Sequence, residues 1–308
     1  MRIISLIASS TEIVCALEME KFLVGRSHEC DFPRTVTSLP VCTAPKFRVA
    51  ATSAEIDRQV KEILEDALSV YRVDAALLAS LEPTHVLTQT QCEVCAVSLR
   101  DVEEAVKTFV GSRPQIISLQ PNGLADVWTD IERVAQALGI SERGRQLVTG
   151  LRTRMAEIEH RAQALPERPA VACPTVACIE WIDPLMSSGN WMPDLVRMAG
   201  GRNLFGVPDR HSPRLDWSEV LAADPNVILI LPCGFDIART CQELPVLTRR
   251  PEWNTLRAVR NNRVYLLDGN HYFNRPGPRL VESLEILAEI LHPDTFSFGH
   301  EGTGWQKL

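Results

Sequence analysis

The sequence has 308 residues, of which 45% are hydrophobic and 23% are charged, and its formal net charge is −7. This composition excludes a largely disordered chain, and the length favours two lobes over a single core. The acidic balance argues against a nucleic-acid partner, because phosphate binding needs grouped lysines and arginines. The densest basic stretches, Arg249-Arg250 and 257–263, are interpreted as solvated surface.

Strands and helices alternate along the first part of the chain. RIISLI is predicted to be a buried strand, and the hydroxyl-rich Ser9-Ser10-Thr11-Glu12 to begin a helix. FLVGRSH, THVLTQ and QIISLQP follow as strands, with helices predicted over 52–80 and over SLRDVEEAVKTFV. This alternation predicts a mostly parallel sheet with helices on both faces.

Two helical segments interrupt the alternation between 122 and 165. The second, 142–165, is long enough at 1.5 Å per residue to run for about 36 Å. Its apolar stripe consists of Leu147, Leu151, Met155, Ile158, Ala162 and Leu165. Alternation then resumes, with AVACPTVACIE, NVILILP and RVYLLDG as strands and PRLVESLEILAEIL as a helix that closes the chain. We predict an α/β protein of two Rossmann-like lobes, 1–121 and 167–308, with mostly parallel sheets joined by one long backbone helix within the linking segment 122–166.

Ligands of open α/β sheets bind beyond the carboxyl ends of the strands, where loops converge. That rule selects Ser9-Ser10, His28–Asp31, Gln89–Cys95, Trp181–Trp191, Cys233–Asp236 and His271–Arg275. The aromatic rings in these loops suit a flat, bulky, partly apolar ligand. No phosphate-binding glycine motif and no G-x-S-x-G motif is present in the sequence, so a binding protein is expected rather than an enzyme.

Membrane insertion is not expected, because no apolar run approaches about 18 residues. MRIISLIASS passes into a helix start without a cleavage region, which predicts a cytoplasmic location. A periplasmic location is expected instead if the sequence is a trimmed mature form.

Several long stretches resemble the helical-backbone periplasmic binding proteins of ABC importers, which take vitamin B12, haem and iron–siderophores. They are SLIASSTEIVCALEMEKFLVGRSHECDFP, IDPLMSSGNWMPDLVRMAGGRNLFG, LDWSEVLAADPNVILIL and NRPGPRLVESLEILAEIL. The resemblance covers essentially the whole chain and comes closest to the cobalamin-binding branch. It implies non-catalytic binding of cobalamin or a related corrinoid between the lobes, as a carrier or an importer component. Haem or an iron chelate is the alternative ligand within the same fold.

The resemblance and the strand-end loops together assign the ligand contacts. They are Ser10, His28, Glu29, Cys30, Asp31, Gln89, Gln91, Cys92, Trp181, Ser188, Trp191, Phe235, His271, Tyr272, Phe273 and Arg275. His28 or a nearby thiolate is expected to approach the cobalt, since imidazole and thiolate both ligate transition metals. An importer would also need an ABC permease, docked through an acidic residue on each lobe, with Glu93 on one and Asp236 or Glu243 on the other.

The C-x-x-C pair in TQTQCEVCAVS leaves two alternatives open. His28, Cys30, Cys92 and Cys95, with His85 nearby, could form a tetrahedral zinc or iron site. The same pair could instead form a redox dithiol, if it lies at a helix N-terminus that lowers a thiol pKa.

Overall fold

The structure, a computed structural model, describes residues 1–66, 70–89, 102–105, 113–165 and 173–308. Two compact units make up the chain. The first consists of 1–51, 55–121 and 125–149, and the second of 52–54, 122–124 and 150–308. Within the described residues, no helix combines the length and apolar character needed to span a bilayer. The lobe boundaries at 121 and 167 stay a prediction.

The first unit contains a four-stranded parallel sheet, as predicted. Its strands are β1 (Ile3–Ser5), β2 (Leu23–Arg26), β5 (His85–Gln89) and β6 (Gln115–Leu119), in the order β2-β1-β5-β6. A separate antiparallel pair consists of β3 (Thr43–Pro45) and β4 (Tyr71–Val73). In the parallel sheet, Ile3 lies opposite both Leu23 and His85, so the carboxyl ends of these strands meet at one edge.

The helices of the first unit are Ala8–Ala16, Ser53–Asp66, Ala75–Ser80 and Leu124–Ala137. The single helix predicted over 52–80 is wrong, because β4 separates two helices there. Val70-Tyr71-Arg72-Val73 is rich in β-branched and aromatic side chains, which fit a pleated sheet better than a helix. Asp74 then caps the next helix by accepting from the Leu77 backbone at 2.9 Å.

The second unit is built on a mixed sheet. Its strands are β7 (Thr175–Trp181), β8 (Met186–Ser187), β9 (Arg202–Asn203), β10 (Val227–Ile230), β11 (Val264–Leu267) and β12 (Trp305–Lys307). The main order is β12-β11-β10-β7-β8, and β9 pairs with β7. β7, β10 and β11 are parallel, while β8 and β12 add antiparallel edges. The core is formed by fully buried strand residues such as Ile230 and Leu266.

The helices of the second unit are Met192–Met198, Trp217–Ala223, Ile237–Thr248, Arg257–Arg260 and Leu280–Leu291. The prediction that the last of these closes the chain is wrong, since β12 follows it. The buried Glu289 carboxylate on this helix explains why the chain folds back to form β12. It accepts from the Gly299 backbone at 2.6 Å and from the Trp305 indole at 2.9 Å, which holds the tail against the helix.

One long helix, Ser141–Gln163, continues from the first unit into the second. Residues 141–149 cluster with the first unit and 150–163 with the second. Its buried positions are Gly144, Val148, Leu151, Met155, Ile158 and Ala162, while Leu147 and Leu165 are half-buried. The α/β class and the connecting helix are therefore confirmed, and four of the six predicted stripe residues, Leu151, Met155, Ile158 and Ala162, are buried.

Candidate functional site

The loop after β2 carries the first group of candidate residues. Arg26, the last residue of that strand, shapes the loop with its guanidinium, which donates to the carbonyls of Ser27 and Cys30 at 3.1 Å each. A further bond, from the Cys30 amide to the Ser27 carbonyl at 3.2 Å, closes a tight turn. The turn leaves His28 and Glu29 half-buried at its tip.

The His28 ring is held by Thr43 on β3. Nδ1 lies 2.8 Å from Thr43 Oγ1, and that hydroxyl also accepts from the His28 amide at 3.1 Å. The single proton of Thr43 is donated to Ser27 Oγ at 3.0 Å. Because the Thr43 proton is already used, Nδ1 must be the donor to Thr43. The neutral ring therefore carries its lone pair on Nε2.

Burial keeps this ring neutral well into the acid range. The His28 side chain is only 22% exposed. Desolvation, with the nearby Arg26 guanidinium as a smaller cause, lowers the pKa of His28 to about 4. Nε2 lies 3.9 Å from Glu29 Oε1, which is beyond hydrogen-bonding distance. An unprotonated imidazole nitrogen of this kind can ligate a transition metal.

Tyr71, on β4, completes the surroundings of His28. Its ring centroid lies 5.1 Å from that of His28, and its hydroxyl donates to Glu29 Oε1 at 3.0 Å. The Phe47 ring centroid lies 6.0 Å from that of Tyr71. Sequence reasoning missed both Thr43 and Tyr71, because only the β3–β4 pairing brings them to the loop. The one available signal is that both lie in short stretches rich in β-branched and aromatic residues.

Ser10 and Cys30, which the sequence assigned to the ligand, lie in the interior. Both are at most 1% exposed. The Ser10 hydroxyl shares a 2.6 Å hydrogen bond with Ser5, and Thr11 donates to Cys30 Sγ at 3.0 Å. These contacts hold both side chains in the interior of the first unit.

The remaining first-unit candidates are only partly described. Asp31 is half-buried, and Gln89, at the end of β5, is 4% exposed. Gln91, Cys92, Glu93 and Cys95 lie outside the described residues, so the C-x-x-C hypotheses stay predictions. Within 1–66, 70–89, 102–105, 113–165 and 173–308, no group of three or more His, Cys, Asp or Glu side chains is arranged to hold a metal ion.

Trp181 and Phe235 come together in the second unit. Trp181 ends β7 and Phe235 follows β10, and their ring centroids are 5.3 Å apart. The Arg239 guanidinium lies 4.4 Å from the centroid of Phe235 and donates to Glu243 at 2.9 Å. Sequence reasoning missed Arg239 and the helix Ile237–Thr248 that carries it, although the four-residue spacing from Arg239 to Glu243 is a recognisable signal. Asp236 caps that helix by accepting from the Arg239 amide at 2.7 Å.

The 271–275 segment begins within a single π-helical turn, Gly269–Phe273, that follows β11. Asp268, only 6% exposed, accepts from the His271 amide at 2.7 Å and lies 2.9 Å from its Nδ1. Arg275 donates to Asn270 at 3.0 Å and is itself 6% exposed. Tyr272 is half-buried. These bonds fix the backbone of the turn and leave His271 partly exposed.

Trp191, Phe273 and Ser188 are buried in the second unit. The Trp191 indole donates to the Phe273 carbonyl at 2.8 Å, which ties two segments together across 82 positions of sequence. Ser188 is fully buried, and its hydroxyl has no hydrogen-bond partner in the described part of the chain. The structure places these three residues inside the fold, whereas Trp181 and His271 are half-buried at the strand ends.

Comparison with known proteins identifies the family. The profile described as "Periplasmic binding protein" matches residues 3–271. The uncharacterized ABC transporter substrate-binding lipoprotein YvrC of Bacillus subtilis (strain 168) is 22% identical over 301 residues, covering 96% of this chain and 81% of its own.

Solved structures share the fold. The apo form of the periplasmic heme-binding protein RhuT from Roseiflexus sp. RS-1 aligns with a TM-score of 0.68 at 22% identity, covering 96% of this chain and 98% of its own. The periplasmic vitamin B12 binding protein BtuF of Vibrio cholerae aligns with a TM-score of 0.64 at 18% identity, covering 94% and 96%. These likenesses show the fold alone and leave the cobalamin branch a prediction.

The cytoplasmic location expected from the sequence finds no support in this match, since the family is extracytoplasmic. The match covers most of both units, and the α/β fold with a long connecting helix agrees with it. The chain belongs to the periplasmic binding protein family, whose members bind substrates for transport and are not enzymes.

Proposed function

We propose that this chain is the substrate-binding protein of an ABC importer, that it acts outside the cytoplasmic membrane, and that its ligand is a cobalt corrinoid. The observation that carries the choice of ligand is the state of His28. Its pKa is about 4, so the ring is neutral at higher pH. The hydrogen bond between Nδ1 and Thr43 leaves the lone pair on Nε2. A corrinoid presents a metal ion that an imidazole can ligate axially.

The surrounding side chains suit a flat ligand. Tyr71 lies beside His28 in the first unit, and in the second the half-buried Trp181 packs against Phe235, which is itself buried. In the first unit, the Tyr71 ring suits contact with a planar macrocycle and Glu29 offers a polar contact to its edge groups. In the second unit, Trp181 and His271 offer the same two kinds of contact. The likeness to BtuF, named for vitamin B12, supports the same ligand class.

An iron porphyrin is the second candidate, favoured by Tyr71 and by the likeness to the heme-binding protein RhuT. A phenol oxygen is a known axial ligand of haem iron. The two ligands make different demands on the first unit, since imidazole ligation would depend on His28 and phenolate ligation on Tyr71.

Titration of the purified full chain with hydroxocobalamin and with hemin tests the proposal. We expect the visible bands of hydroxocobalamin to shift on binding, to lose that shift in His28→Asn, and to keep it in Tyr71→Phe. His85→Asn is the matched control, because His85 is a half-buried histidine of the same unit whose ring bonds Thr84 and the Ala137 backbone and is not among the assigned ligand contacts. No spectral shift and no heat of binding with either ligand would refute the proposal.

The two ligands give distinct outcomes. A hemin spectrum that depends on Tyr71 and not on His28, together with no hydroxocobalamin binding, would assign the chain to haem. Metal analysis of the untreated protein separates both from the Cys/His hypothesis, which requires near-stoichiometric zinc or protein-bound iron without a macrocycle.

For docking to a permease, we propose Asp236 rather than Glu243 as the acidic residue of the second unit. Asp236 is exposed, whereas Glu243 is 4% exposed. The Glu243 carboxylate already accepts from Arg239 and from the Ser53 hydroxyl at 3.0 Å. Asp236→Asn is therefore expected to weaken co-purification with the permease, and Glu243→Gln to act mainly on stability.

A further inference from the structure

Segment 249–263, RRPEWNTLRAVRNNR, is the most basic part of the chain. It contains five arginines and one glutamate, a local charge of +4, in a protein of net charge −7. It leads from the helix Ile237–Thr248 into β11, at the amino end of the second-unit strands. None of the contacts assigned to the ligand lies in it.

The segment is folded so that its apolar residues point inward. Trp253, Leu256 and Ala258 are at most 5% exposed and belong to the core of the unit. Tight hydrogen bonds, such as that from the Arg263 amide to the Ala258 carbonyl at 2.7 Å, keep it compact. Arg249, Arg257 and Arg260 are exposed, whereas Arg250 and Arg263 are half-buried.

Only part of this charge is neutralised. Arg257 pairs with Asp224 at 3.2 Å, and Arg263 donates to the Ile290 carbonyl at 3.2 Å. Within the described residues, Arg249 and Arg260 have no carboxylate partner. Clustered like charges repel one another, so the arrangement costs stability unless an anionic partner offsets it.

Aromatic rings lie beside the arginines. Trp217 stacks on Trp253 with centroids 6.1 Å apart and planes inclined by 19°, and the Arg250 guanidinium lies 5.5 Å from the Trp217 centroid. Val246 adds an apolar side chain that is 39% exposed. The surface formed by 249–263, Trp217 and Val246, the arginine face, thus combines guanidinium groups with a half-buried indole.

We propose that the arginine face binds the anionic headgroups of a phospholipid surface. Guanidinium groups match phosphate oxygens in bidentate geometry, and indole rings are favoured at the level of lipid headgroups. A lipid surface can approach one face alone, while acidic residues elsewhere are screened beyond about 8 Å at physiological salt. A nucleic acid, which would extend past this face onto an acidic protein, fits less well.

Sedimentation with sucrose-loaded vesicles tests this interaction on the full chain without added ligand. We expect binding to phosphatidylcholine vesicles that contain about one third phosphatidylglycerol, and little binding to phosphatidylcholine alone. Each arginine at an anionic surface raises the partition coefficient about fivefold, so Arg249→Gln combined with Arg260→Gln should lower it about 30-fold. Arg34→Gln combined with Arg152→Gln is the matched control, because it removes the same charge from exposed positions elsewhere.

Equal sedimentation with neutral and anionic vesicles would overturn the proposal, as would an equal loss in the control variant. Binding to a DNA duplex that depends on Arg249 and Arg260, without binding to vesicles, would assign a different polyanion and also overturn it. Cobalamin and hemin titrations of the same variants are expected to be unchanged, so this proposal and the proposed ligand can fail independently.

Discussion

Replacing His28 by asparagine is expected to make the protein less sensitive to acid. In the folded chain, burial lowers the pKa of His28 from 6.5 to about 4, whereas the unfolded chain exposes the ring to water. Below the unfolded pKa, protons bind the unfolded state first. The stability associated with the neutral ring is therefore present above about pH 6.5 and is lost as the pH falls toward 4.

The size of the effect follows from the two pKa values. At about pH 5, protonation of the unfolded ring favours unfolding by about 2 kcal/mol, and at about pH 7.5 the contribution is close to zero. Asparagine does not titrate, and its amide can replace the bond from Nδ1 to Thr43. The difference between the wild type and His28→Asn should therefore change by about 2 kcal/mol over this range.

Urea unfolding of both proteins, followed by tryptophan fluorescence at each pH, measures the difference. Other groups that titrate on unfolding are common to both proteins and cancel. A stability difference that does not vary with pH would refute the argument from burial, as would an NMR titration of the His28 ring with a pKa near 6.5 in the folded protein.

Three further predictions concern the second unit and the long helix. Glu289→Gln should lower the free energy of unfolding by about 2 kcal/mol, because its buried carboxylate accepts several N–H donors of the C-terminal tail. Chymotrypsin should then cut the tail faster, at Phe296, Phe298 or Trp305, and unchanged cleavage would contradict this. The hydrogen bond to Glu285 raises the pKa of His300. His300→Gln should therefore lower the free energy of unfolding in acid, and by progressively less as the pH rises through the folded pKa. Urea unfolding measures this cost, and an equal cost at all pH values would contradict the prediction. Gly150→Ala should raise the free energy of unfolding by about 1 kcal/mol, because the added methyl group meets free space. Gly206→Ala should lower the Tm, because its methyl group would clash with a backbone oxygen. The opposite order of the two Tm values would refute this.

Local patterns were sufficient for most of the architecture. The runs RIISLI, NVILILP and RVYLLDG are strands because their apolar, β-branched character suits a sheet buried on both faces. The long helix is equally visible, since its buried positions recur every three or four residues. Both features depend only on residues that are close together in the sequence, so the sequence alone predicts them.

The wrong prediction of a single helix over 52–80 shows that local patterns are not sufficient to predict short strands. β4 is three residues long and exists because Tyr71 pairs with Pro45 on β3. The apolar period of three or four residues in Ser53–Asp66 predicts a helix, and the β-branched and aromatic run over β4 is too short to override that signal. The same pairing places Tyr71 against His28, which is why the sequence found one residue of this cluster and missed the other.

The sequence by itself determined the α/β class, the parallel sheets, the long helix and the loops in which ligand residues should lie. Only the tertiary structure decided which of those residues are accessible. Ser10, Trp191 and Phe273 are buried by contacts with distant segments, whereas His28 is held half-exposed by Thr43. The physical reason is that burial and hydrogen bonding depend on residues far apart in sequence, which a strand-end position does not specify.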